Sequence, residues 1–174
     1  MIPHPLHPAI VHFPMALAML LPLATLAAAI AIHRGAGARA TWLPVLGVSA
    51  LLSLSAWMAV QTGEREEDAV EDLVAESIIH EHEERAELFS FASILVLGLV
   101  GVGLTGGRFG SAARTASTLA AIVLLFLGYR VGHSGGELVY VHGAASAYVV
   151  GAGSTDRGTA VRTREHDEND DGNR

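Results

Sequence analysis

The sequence predicts an all-α fold: an integral membrane, antiparallel four-helix bundle with a short amphipathic helix between spans two and three and a disordered C-terminal tail. Three observations lead there. Hydrophobic residues make up 51% of the chain and charged residues only 17%, and a mean hydropathy of +0.40 is high for a chain that must stay in water. The apolar residues are blocked into four runs separated by short polar segments. Each run approaches the ~20 residues that a helix needs to cross about 30 Å of hydrocarbon. At 174 residues there is room for one membrane domain, residues 1–153, followed by a charged tail, 154–174.

The first run, Ala9–Ile32, reads as a span rather than a cleaved signal peptide. No Lys or Arg precedes it, and it exceeds the ~7–15 apolar residues of a signal h-region. Pro14 and Pro22 each remove a backbone donor within it, so a bent helix is expected. The short linker His33–Ala40 makes the second span, Thr41–Gln61, return antiparallel; Trp42 and Trp57 near its ends suit either interfacial anchoring or packing on neighbours. Gly63 breaks that run. Glu64–Ser77 is acidic, with Val70, Leu73 and Val74 spaced as one face of a short surface helix. The third span, Leu88–Leu104, stops at Gly106-Gly107. The fourth begins near Thr115 and is expected to end at Gly135-Gly136, leaving Glu137–Val150 as an interfacial or folded-back piece. From Gly151 the chain is Gly, Arg and acid, with too little apolar surface to offset the entropy of ordering.

Composition removes whole classes of chemistry. With no cysteine there is no disulfide, thiolate-held iron–sulfur cluster, covalently attached haem or thiol catalysis, and any metal must use His and carboxylate. A net charge of −7, with Arg as the only strong base, argues against nucleic acid as a partner. The lipid bilayer is the required partner, and a homo-oligomer is compatible with the pattern. Arg34, Arg39, Arg108 and Arg114 follow spans one and three with no acid among them, which places those loops in the cytoplasm, the chain in the inner membrane and both termini outside.

That topology gathers the histidines. The starts of spans one and three and the ends of spans two and four share one edge, and His4, His7, His12, His80, His82, His133 and His142 all fall there. Only His33 lies at the opposite edge, with His166 in the tail. In the stretch Ile78–Glu87, His80, Glu83, Glu84 and Glu87 share one helical face while His82 points elsewhere. His12 lies one turn inside an apolar run, where an unpaired ring is costly and a bundle-facing partner is expected. The plainer alternatives are helix-end capping for His7 and His12, a solvated face for whichever of His80 and His82 points outward, and headgroup contact for Arg130 and His142.

The segments LHPAIVHFP, TGE, HEHEERAE and GHSGGELVYVHG, carried by His7-Pro8, Val11–Pro14, Gly135-Gly136, Leu138–Tyr140 and His142-Gly143, resemble a bacterial family of four-helix membrane proteins, the domain of unknown function 2231. The resemblance covers roughly Leu6–Val150 and implies a membrane domain whose relatives are sometimes fused to c-type cytochrome or Rieske-like domains. It implies electron-transfer company and no established reaction. Neither fused domain is present here, so a cytochrome or Rieske-type partner would be a separate protein.

Two chemistries suit such a cluster. One is a b-type haem held by imidazoles from different helices, with His12 and His82 or His133 as preferred ligands and Arg130 near the propionates. The other is a single Zn, Cu, Fe or Mn ion, drawing on His7, His12, His80, His82, Glu84, Glu87, His133 and His142. A structural or partner-binding module without cofactor is the third. GHSGG lacks the context and lysine of a phosphate loop, and no hydrolytic motif stands out, so the expected role is at most that of a redox component.

Overall fold

The computed structural model describes residues 6–147. The tail, its predicted disorder and the 153/154 boundary lie outside these residues. Among the described residues the chain is all-helical: α1 (His7–Ile10), α2 (His12–His33), α3 (Ala38–Glu64), α4 (Glu76–Val102) and α5 (Gly107–Tyr140), with one 3₁₀ turn at Glu67–Ala69. Four helical stretches, His7–His33, Ala38–Glu64, Glu76–Val102 and Gly107–Tyr140, are long and apolar enough to cross a membrane.

Consecutive spans run antiparallel, and α5 closes the ring onto α2, so α2, α3, α4 and α5 occupy the corners of a square. The interior is built from small and mid-sized side chains: Ala18, Leu21, Leu52, Ala56, Val96, Val100, Ala121 and Leu124. Thr25, Ser49, Ser93 and Ser117 are buried among them. Leu, Ile, Met and Phe side chains such as Phe13, Met19, Leu23, Phe91, Leu119 and Phe126 face outward instead. A soluble domain rarely exposes a belt of that size. In lipid the arrangement is natural, because close helix approach through small residues drives packing there and the large apolar chains meet the tails.

Polar interior groups are mostly served within their own helix. Thr25 Oγ1 donates to Pro22 O at 2.9 Å, Ser93 Oγ to Ser90 O at 2.6 Å and Ser117 Oγ to Ala113 O at 2.7 Å. Ser49 and Ser53 Oγ are buried without a partner among the described residues. Trp42, expected either as an interfacial anchor or as a packing residue, is fully buried and donates from Nε1 to Val100 O at 3.0 Å, whereas Trp57 faces outward.

The first span is interrupted at Val11, between α1 and α2. Pro14 has no N–H to offer the carbonyl of Ile10, which is why the break falls there. Three boundaries differ from the sequence expectation. The helix of span three starts at Glu76, ahead of the apolar run at Leu88, and HEHEERAE is helical, as its spacing predicts. α5 runs unbroken from Gly107 through Gly135-Gly136 to Tyr140; each interior glycine costs only ~1 kcal/mol, which bundle packing outweighs. The acidic connection after α3 contributes only a single 3₁₀ turn in place of the short amphipathic helix. Its apolar stripe still packs: Val74, Ile79 and Ala144 form a small cluster with Val70, Ile78 and Leu138 over the end of the bundle. Gly143, at φ +74°, lets the chain turn back after α5 so that Ala144 N–H reaches Leu138 O at 3.0 Å and joins that cluster.

Candidate functional site

Beneath this cluster lies a cavity of about 600 Å³, whose lining includes His7, Gly63, His82, Glu83, Glu87 and Gly135. It sits at the edge of the bundle where the starts of α1 and α4 meet the ends of α3 and α5.

His7 arrives on α1, where the first N–H groups, at Leu6 and His7, donate to Glu66 Oε1 at 2.6 and 3.1 Å. The acidic connection thus closes the helix start that precedes the span, as a capping carboxylate does. His7 Nδ1 contacts Ala59 O at 2.9 Å and Thr62 Oγ1 at 3.3 Å. A carbonyl only accepts, so Nδ1 carries the proton and Nε2 keeps its lone pair.

His82 points from α4 into the bundle, and its Nδ1 lies 2.8 Å from Ser134 Oγ. Ser134 Oγ in turn donates to Val131 O at 3.0 Å. With its one proton on Val131 O the hydroxyl would accept from Nδ1–H, leaving Nε2 of His82 with its lone pair, as on His7. The two rings stand edge to face, centroids 6.5 Å apart and planes at 86°. Neither Nε2 has a hydrogen-bond partner among the described residues. Glycine makes room for each ring: a Cβ at Gly63 would lie 3.2 Å from His7 Cε1, and one at Gly135 would lie 3.1 Å from His82 Cε1.

The remaining histidines do not join them. His80 is exposed, with its ring nitrogens 3.8 Å from Glu83 Oε2 and 3.4 Å from Glu84 Oε1; this is the shared face that the spacing predicts. His12 is exposed on α2 and lies outside the cavity. His133 is exposed on α5, 3.4 Å from Glu137 Oε2, beside Tyr129 and a lateral groove lined by Met15, Met19 and Gly132. Arg130 is exposed, and neither it nor the half-buried His142 lines the cavity. Glu87 does line it, while Glu84 stays on the solvated face. Among the described residues no three His, Asp or Glu side chains are grouped so as to hold a metal ion.

Sequence reasoning missed Thr62, Ser134, Gly63 and Gly135 as partners of the rings, and Glu66 as the acceptor at the start of α1. The short motifs TGE and HSGG were the available signal. No curated protein and no solved structure matches the chain. The sequence does match a family of predicted membrane proteins over residues 3–148, a stretch containing all four spans and both cavity histidines, and the chain belongs to that family, DUF2231.

Proposed function

We propose that this protein is an electron-transfer module of the inner membrane, in which His7 and His82 hold a b-type haem at the outer edge of the bundle. The observation that carries this reading is the pair of imidazoles on different helices, each contacted at Nδ1 and lining one cavity. A hydrogen bond at one ring nitrogen is what orients the other toward a metal. Two imidazoles suffice for haem, since the porphyrin supplies the other iron ligands, whereas an ion held by protein alone asks for more. When bound, the haem would supply one-electron chemistry, and His7 and His82 would hold it in place. A separate cytochrome or Rieske-type protein would exchange the electron. Both termini and the acidic connection face outward in this reading, supported by Arg34, Arg39, Arg108 and Arg114 at the far edge.

One observation favours a bare ion instead. Glu64, Glu66, Glu67, Glu83 and Glu87 line the cavity and no Arg or Lys does, which suits a Zn, Cu, Fe or Mn cation better than anionic propionates. The absorption spectrum and metal content of gently purified protein separate the two. A Soret band that disappears in His7→Ala and His82→Ala supports haem. A stoichiometric metal without that band supports the ion. Neither signal would make the pair structural and defeat the electron-transfer reading.

A further inference from the structure

The chain contains two hairpins, α2 with α3 and α4 with α5, in which many buried positions recur at the same steps, although buried Trp42, Ser53, Ala59 and Ser90 have no buried counterpart. Pro14, Ala18, Leu21, Thr25 and Ala28 are the buried residues of α2. They stand at the same distances along the chain from His7 as buried Phe89, Ser93, Val96, Val100 and Gly103 stand from His82. In the returning helices, Val45, Ser49, Leu52 and Ala56 precede Thr62 by the same steps as Ser117, Ala121, Leu124 and Gly128 precede Ser134. The contacts at the cavity repeat as well. Thr62 Oγ1 donates to Ala59 O and Ser134 Oγ to Val131 O, each at 3.0 Å and each three residues back. Each hydroxyl faces the Nδ1 of the histidine that opens its own hairpin, and each following glycine faces that ring's Cε1. Residue types mostly differ between the halves, so the repeat is one of positions and contacts.

We infer that the two hairpins are matching halves of one site, in which Ser134 and Gly135 set the tautomer and tilt of His82, and the Ala59 carbonyl with Thr62 and Gly63 sets those of His7, for a single centre with two like coordination positions. The two halves are not equally exposed to a change in the hydroxyl. His7 Nδ1 also reaches Ala59 O directly at 2.9 Å, while His82 depends on Ser134, whose neighbour Val131 O is already taken by the hydroxyl. The inference rests on the reading of these imidazoles as donors, but its test requires no bound group.

The measurement is nitrogen NMR of full-length protein labelled at histidine, in lipid nanodiscs, with signals assigned through His7→Gln and His82→Gln. Wild type should show both rings in the Nδ1–H form. Ser134→Ala should release His82 into a tautomer mixture and leave His7 unchanged; Ser134→Thr should restore it. Thr62→Ala should leave His7 in the Nδ1–H form. The exchange variant Thr62→Ser with Ser134→Thr should behave as wild type, because each half accepts the other's hydroxyl. Gly135→Ala should shift the Cε1–H resonance of His82 alone and Gly63→Ala that of His7 alone, which keeps the test available if Ser134→Ala does not fold. A His82 that stays in the Nδ1–H form in Ser134→Ala, loss of that form in the exchange variant, or glycine variants that disturb both rings equally would overturn the assignment. A cofactor assay that comes back empty would defeat the electron-transfer proposal and leave these NMR outcomes to be decided separately.

Discussion

Ser134 Oγ lies 2.8 Å from His82 Nδ1 and within 3.0 Å of Val131 O, to which it can only donate, so the placement of one hydroxyl proton decides which nitrogen of an imidazole is left to meet a ligand. The equivalent ring, His7, is held by Ala59 O and Thr62. The chemistry open to the cavity follows from these two tautomers, since a neutral imidazole binds a metal through the nitrogen that carries no proton.

The histidines should therefore sort into two groups. His7→Ala and His82→Ala should each remove any haem band or bound metal, whereas His12→Ala, His33→Ala and His133→Ala should leave it. Acidification should strip the group as well, because protons compete for both Nε2 lone pairs. Optical titration of the five variants reads all three outcomes, and retention in His7→Ala would be the adverse result.

Trp42 and Gly103 form a packing contact that can be tested by stability alone. A Cβ on Gly103 would lie 2.5 Å from Trp42 Nε1, and overpacking of this kind costs about 1–3 kcal/mol. Trp42→Phe would strand the Val100 carbonyl, at a cost of about 1–3 kcal/mol. Both variants should lower the thermal midpoint in detergent. Gly98→Ala, with nothing within 4 Å of its new methyl, should not.

Glu66→Ala deprives Leu6 and His7 N–H of their shared acceptor, which should cost about 1 kcal/mol, as loss of a capping side chain does. Glu66→Gln keeps an oxygen in place and should recover most of it. Equal losses in the two variants would mean that the charge, rather than the acceptor, matters.

Orientation is checked by fusion. A reporter active only outside the cytoplasm should work at the C-terminus and fail in the Arg34–Arg39 loop; the reverse pattern would refute the arginine argument.

Removal of the chain after Gly153 should leave the thermal midpoint and any bound group unchanged, since the segment's composition offers little apolar surface to bury. A marked drop in either would show that the tail packs on the bundle.

The four spans were legible because lipid-facing length and hydropathy are written in consecutive residues. The edge that gathers His7 and His82 was legible too, from span parity. Which histidines face inward was not, because His12 sits within an apolar run yet lies on the outward face of α2, and one residue of helical phase decides between the two. Gly135-Gly136 misled for a related reason. Read alone, two glycines stop a helix, but in α5 Gly135 provides the space that the His82 ring needs. The contacts of Ser134 and Thr62 join residues more than fifty positions from their histidines, and no local pattern encodes such a pairing.

The small-residue interior has a consequence for transport. Below the cavity, Leu21, Thr25, Ser49, Leu52, Val100 and Leu124 are each no more than 1% exposed, and among the described residues the one histidine toward the far end, His33, faces outward. If the cavity holds a haem as proposed, that floor offers no second pair of imidazoles among the described residues, so an electron arriving at the cavity would leave by the same side of the membrane.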